Sequence, residues 1–230
     1  KNSLGADNQD FECLTEQGVR LKSLENDVSP QRVDSDDQVL RTYRLAQTCT
    51  QEYGSIFEGG AASDAVKKAR IQAQMAITVN RVNEIYERDL AVTLVFIARN
   101  DELIYYNNPD PWNGEFNAKT QEVISTTLND ESLYDIGHNF NTSGGGNAGC
   151  LGCVCSDAIA PYNTTGYKGS GMTGRADPTG DPFDIDYVAH EMGHQFDGYH
   201  TQASSGCASG NGTTEVEPGS GRSIMGYAGI

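Results

Sequence analysis

"HEMGHQFDGYH", residues 190 to 200, holds three of the chain's four histidines, with Glu191 directly after the first. Positions four apart on a helix project from one face, so His190 and His194 can grip a single ion. Glu191 lies at the flank of that face, where it can take a proton from a water on the metal. Zinc accepts imidazole nitrogen at about 2.0–2.1 Å, and a catalytic site usually keeps three protein ligands and one open position. His200 can be the third ligand only if the chain turns sharply after His194, because a continuing helix would carry it to another side. Asp197-Gly198 supplies residues suited to such a turn. A chance HExxH in a purely structural helix is the bland alternative, and the third histidine weighs against it.

Working outward, "DPTGDPFDIDYVAHEMGHQF" reads as a helix entered through Pro and Asp residues. Upstream, residues 63–90 carry Ile71, Met75, Val79, Val82 and Tyr86 at helical spacing, with Ser63 or Asp64 as the N-cap. "VLRTYRLAQT" (39–48), "AVTLVFIA" (91–98), "ELIYY" (102–106) and "LYDIGHNF" (133–140) read as strands, and residues 117–130 as a second helix. A short strand is expected near Cys153 to Cys155. Residues 1–37 form a polar, acidic leader, and 38–230 one α+β domain without repeats or a second core.

The formal net charge of −16 and pI of about 4.5 argue against nucleic-acid binding. No apolar run approaches the ~20 residues of a membrane span. The first ten residues lack the apolar core of a signal peptide, so an export signal has been removed or lies outside this sequence. Six cysteines and the sequons at Asn141, Asn163 and Asn211 point to an oxidising, extracellular setting and a secreted protein. Cys150, Cys153 and Cys155 lack a matching second pair, so disulfides are expected rather than a thiolate metal site.

With these residues in view, the chain resembles the metzincin zinc endopeptidases, whose signature is HExxHxxGxxH. Asp197 stands where that signature has glycine, and the turn is expected to survive because aspartate tolerates a left-handed backbone, or because Gly198 takes that conformation instead. "SIMGY" (223–227) resembles the clan's Met-turn, with Met225 as its methionine. "YRLAQTCTQEYGSIF", "TVNRVNEIYERDLAVTLVFIARND" and "GDPFDIDYVAHEMGHQF" are similar to the bacterial reprolysin-like, adamalysin-related branch over about residues 38–230.

That resemblance implies a five-stranded mixed sheet, two long helices, an active-site helix and an irregular C-terminal subdomain. It implies one catalytic zinc on His190, His194 and His200, Glu191 as general base and acid, and Tyr227 assisting at the oxyanion. Substrates would be proteins or peptides lying along an edge strand placed near "YDIGHNF", and the enzyme a monomer. His138, on that strand, is expected at the strand surface and not as a ligand. The branch continues past the Met-turn into a helix, so an end at Ile230 reads as truncation, processing or disorder.

Cys13 has two readings: an inhibitory thiolate on the zinc, giving a latent zymogen, or a disulfide to Cys49 or the 150–153 cluster, the commoner outcome. The resemblance favours a Cys155–Cys207 disulfide. Asp181, Asp184 and Asp186 could donate oxygens to calcium, although carboxylates at a helix start more often only cap it. A catalytically silent adhesion or binding module on the same scaffold is the competing function.

Overall fold

The helix expected at 63–90 runs from Asp64 to Leu90 (α2), with Ser63 as its N-cap, in the computed structural model, which describes residues 13–15, 38–60, 62–202, 214–219 and 221–226. Its buried face is Ile71, Met75, Thr78, Val79, Val82 and Tyr86. Five of these are the residues whose spacing marked the helix, because an apolar stripe is stable only when it covers a sheet. A left-handed Ala91 (φ 53°) stops α2 and turns the chain directly into a strand.

The strands are β1 (Arg41–Cys49), β2 (Val92–Phe96), β3 (Ile136–Asn141), β4 (Gly145–Asn147) and β5 (Gly171–Gly174). They form one five-stranded sheet in the order β2-β1-β3-β5-β4. All pairs are parallel except β4 with β5, so the sheet is mixed, as expected. Two further helices are α1 (Gln51–Phe57) and α3 (Asn117–Leu128). Leu45, Ile136 and Phe140 of the sheet join the α2 stripe and Phe183, Val188 and Met192 in one core. Burial of this kind stabilises by about 25 cal/mol per Å² of apolar surface, which is why the core decides where the site can sit.

Several expectations are corrected. β3 is a central strand with every residue buried, so "YDIGHNF" is not the edge; the short β4 is. "ELIYY" is not a strand: Asn100–Leu103 form a 3-10 turn, and Ile104 makes a single bridge to Cys49. No strand forms at Cys153–Cys155. Helix α1 escaped notice because Gly54 weakens the helical signal, yet only glycine fits there, since a Cβ would collide with the Tyr105 carbonyl. β4 and β5 escaped notice for a related reason, being "GGN" and "GMTG".

Cys150 and Cys153 form a disulfide, as expected in preference to a thiolate metal site, whereas Cys13, Cys49 and Cys155 are free. Cys207, and with it the expected pairing to Cys155, lies outside the described residues. No described helix is long and apolar enough to cross a membrane.

The sequons are not equivalent. Asn141 is only 1% exposed, and its amide donates to Asn139 Oδ1. Asn163 lies exposed in a loop. Expressed in a glycosylating host, the folded protein should carry glycan at Asn163 and none at Asn141. Peptide mass mapping checks this, and a glycan at Asn141 would contradict the packing described.

Candidate active site

The helix that carries His190 and His194 is built in three pieces: a first turn Asp181–Phe183, a π-helical segment Asp184–Ala189, and an α-helical end His190–Gln195. Helix α2 holds it along its length. Arg81 pairs with Asp181 at 2.8 Å, Thr78 Oγ1 donates to Asp184 Oδ1 at 2.7 Å, and the Tyr86 hydroxyl donates to the Ala189 carbonyl at 2.6 Å. The wider π turns end where the histidines begin, a placement common at functional sites. Two of the three candidate calcium ligands thus bind protein partners. Among the described residues the one group able to hold a metal is Cys13, His190, His194 and His200.

His190, His194 and His200 bring their Nε2 atoms together, each 3.1 Å from the other two. A tetrahedron with zinc–nitrogen bonds of about 2.0–2.1 Å has an edge of ~3.3 Å, so the set fits zinc. The tautomers agree. His190 Nδ1 donates to the Ile224 carbonyl at 2.8 Å and His194 Nδ1 to the Gly198 carbonyl at 2.6 Å, which turns both Nε2 lone pairs inward. Facing lone pairs repel unless a cation lies among them. Burial keeps the rings neutral, the form that binds metal, by pushing His190 down to about 4 and His200 to about 3; His194 is held well below the usual histidine value, by burial and by the other two rings.

The turn to His200 survives the missing glycine in a definite way. Asp197 takes the left-handed conformation at φ 70°. Asp197 N–H bonds to the His194 carbonyl at 2.9 Å and Gly198 N–H to the Gly193 carbonyl at 2.8 Å, a Schellman close with Asp197 in the position usually held by glycine. Met225 lies beneath this helix end: a Cβ on Gly193 would stand 2.7 Å from its sulfur. Together with the Ile224 carbonyl that orients His190, this puts Ile224 and Met225 against the helix that carries His190 and His194. Tyr227 lies outside the described residues.

Glu191 is fully buried, and burial raises its carboxyl to about 8. Gly146 of the edge strand lies directly over it; a methyl there would collide with Glu191 Cγ. This explains the glycine in β4, since edge strand and helix could not otherwise close on each other. Beside the site, the amides of Gly152 and Val154, in and next to the disulfide loop, donate to the His194 and Gln195 carbonyls at 3.1 and 3.3 Å.

Cys13 is not in a disulfide. Its sulfur lies 3.4 Å from His194 Nε2, and burial, with the Glu191 charge beside it, raises the thiol strongly. The segment bridges β4 in parallel, Cys13 against Gly146, and Leu14 N–H bonds to the Gly146 carbonyl at 2.9 Å. The expected disulfide is thus replaced by a contact with the histidine cluster, which a reading of cysteine spacing could not weigh, because the sequence separation of 181 between Cys13 and His194 is closed only by the fold.

His138 also departs from expectation. It is buried, not at the surface, with Nδ1 2.8 Å from Gln195 Oε1 and Nε2 2.8 Å from Thr173 Oγ1, and it takes no part in the cluster. Gly171 makes room for it, since a Cβ there would strike both His138 and Gln195. Burial lowers its pKa from 6.5 to about 4. The unfolded chain therefore binds a proton that the folded chain refuses between those values. The resulting stability is fully present above pH 6.5 and is lost as pH falls towards 4, on the order of 3 kcal/mol. His138→Gln should flatten this acid limb, and urea unfolding at pH 7 and 4.5 would show it; an unchanged pH dependence would contradict the assignment.

Residues 39–230 match the family described as "Metallo-peptidase family M12B Reprolysin-like". No curated protein matches the chain. Among solved structures, one titled "Structure of a chaperone-substrate complex" is 17% identical, with a TM-score of 0.46, over 72% of this chain. The chain spans 25% of the length of that one.

Proposed function

The chain belongs to the reprolysin-like metallopeptidases of family M12B, a family of zinc metalloendopeptidases, and from that premise we propose that it is a secreted endopeptidase held latent by its own Cys13. The observation that carries the reading is the convergence of three inward-facing Nε2 atoms, each 3.1 Å from the others, beside the buried Glu191. His190, His194 and His200 would hold the zinc. Bound there, zinc polarises the scissile carbonyl and makes water a nucleophile near neutral pH.

The chain's own residues do the rest. Glu191 accepts the proton of the attacking water and delivers it to the leaving amine. Its burial keeps bulk water from competing for that proton, and the Ile224 and Gly198 carbonyls fix the two histidines of the helix. With residues 13–15 lifted from it, the outer edge of β4 would offer backbone groups to an extended peptide, and Gly146 would let that peptide come close to Glu191. Tyr227 is assigned to the developing oxyanion by its place two residues after Met225. The Cys150–Cys153 disulfide is consistent with an extracellular location.

The position of Cys13 supports the latent reading. Its sulfur would take the position that zinc keeps open, and Leu14 covers the β4 edge. An open form at about 0.1–10% of the population means that freeing it raises activity about 10- to 1,000-fold. Cys13→Ser in the full chain, loaded with zinc, should therefore cleave casein faster than wild type by at least that lower factor, with loss in phenanthroline and recovery on zinc addition. Bound zinc with no cleavage in either form would instead favour a silent binding module.

A further inference from the structure

The latency reading uses the thiol of Cys13 but not the residue two positions on. Thr15 is 7% exposed, and its hydroxyl makes two buried contacts. It donates to Glu191 Oε2 at 2.9 Å and accepts from the Ala148 amide at 2.8 Å. Between the two residues, Asn147 Nδ2 donates to the Leu14 carbonyl at 3.1 Å, so the backbone is pinned while both side chains reach inward.

A hydroxyl can donate and accept at the same time. The Thr15 oxygen does both here, between a carboxylate that must otherwise receive a proton from water and an edge-strand amide that must otherwise find an acceptor. It is tied to the chain and carries a methyl group, so it fills the place without being exchangeable as water is. Loss of the hydroxyl would leave the Ala148 amide and the Glu191 carboxylate short of a buried partner, a costly outcome for each.

We propose that Thr15 is a second latch, independent of the metal, whose hydroxyl stands in for the water at Glu191, so that the cleft recognises a peptide bearing a thiol and, two residues on, a hydroxyl. The role given to Glu191 rests on the peptidase reading above; the contact does not. The segment thus blocks the histidine cluster and the base separately. Removing either side chain weakens the hold without abolishing it.

The test uses the full chain stripped of metal by a chelator. Iodoacetamide labelling of Cys13 is followed by mass spectrometry of its peptide, because the buried thiol reacts only when the segment lifts. Thr15→Val keeps the shape and removes the hydroxyl, and labelling should quicken about tenfold. Thr15→Ser keeps the hydroxyl and should stay within about twofold of wild type. The latch is overturned if Thr15→Val labels like wild type, if Thr15→Ser labels as fast as Thr15→Val, or if wild type already reacts as fast as the chain unfolded in urea. Casein cleavage by Cys13→Ser and by Cys13→Ser/Thr15→Val separates the two readings. Labelling as expected with no cleavage in any form sinks the peptidase and leaves the latch. Unchanged labelling in a chain that cleaves sinks the latch alone.

Discussion

Glu191→Gln, introduced into the Cys13→Ser chain, is expected to lower kcat/KM for a peptide substrate by about 10²- to 10⁴-fold, the usual contribution of a positioned general base. The carboxamide fills the same buried space and its oxygen can still accept from the Thr15 hydroxyl, so the fold and the histidine cluster should stand. What it lacks is basicity: the amide oxygen accepts a hydrogen bond but cannot take and return a proton. The loss should therefore appear in kcat far more than in KM, with zinc content unchanged. If Glu191→Gln retains more than a tenth of the activity, Glu191 is not the base. If zinc content falls in parallel, the effect is structural.

The second large effect is on the metal itself. His194→Ala removes a central member of a set in which each Nε2 lies 3.1 Å from the other two, and it also leaves the Gly198 carbonyl without the Nδ1 that faces it. Losing only an outer partner of a ligand costs about 10- to 100-fold in metal affinity, so losing the ligand should cost more. Equilibrium dialysis against buffered zinc should find about one ion per wild-type chain and close to none in the variant at the same free zinc. His138→Gln is the fitting control, being a buried histidine that binds Gln195 and Thr173 instead. Equal loss of zinc from His138→Gln, or none from His194→Ala, would place the metal elsewhere.

How far the site could be read from sequence depended on distance along the chain. His190, His194 and Glu191 were legible because a helix fixes which neighbours share a face, and the α2 stripe because burial of one face repeats at helical spacing. His138 was misplaced for lack of the same local rule. Alternation cannot tell a central strand from an edge one when every residue of β3 is buried by neighbours that come from elsewhere in the chain. The glycine-rich β4 and β5 were missed because glycine weakens any strand taken by itself. Their reason for being glycine, the close approach of Glu191 to Gly146 and of His138 and Gln195 to Gly171, exists only in the packed molecule.

Sequence by itself determined the helical histidine pair with its glutamate, the long amphipathic helix, the mixed α+β class and the kinship that goes with them, since each depends on contacts within a few turns or on a motif. Only the tertiary structure decided that Asp197 and not Gly198 takes the left-handed turn, that Cys13 meets the histidines and not another cysteine, and that Thr15 faces Glu191. The physical reason is the same in each case. Those choices are settled by groups far apart in the chain competing for one buried space, and their free energies appear only when that space has been closed.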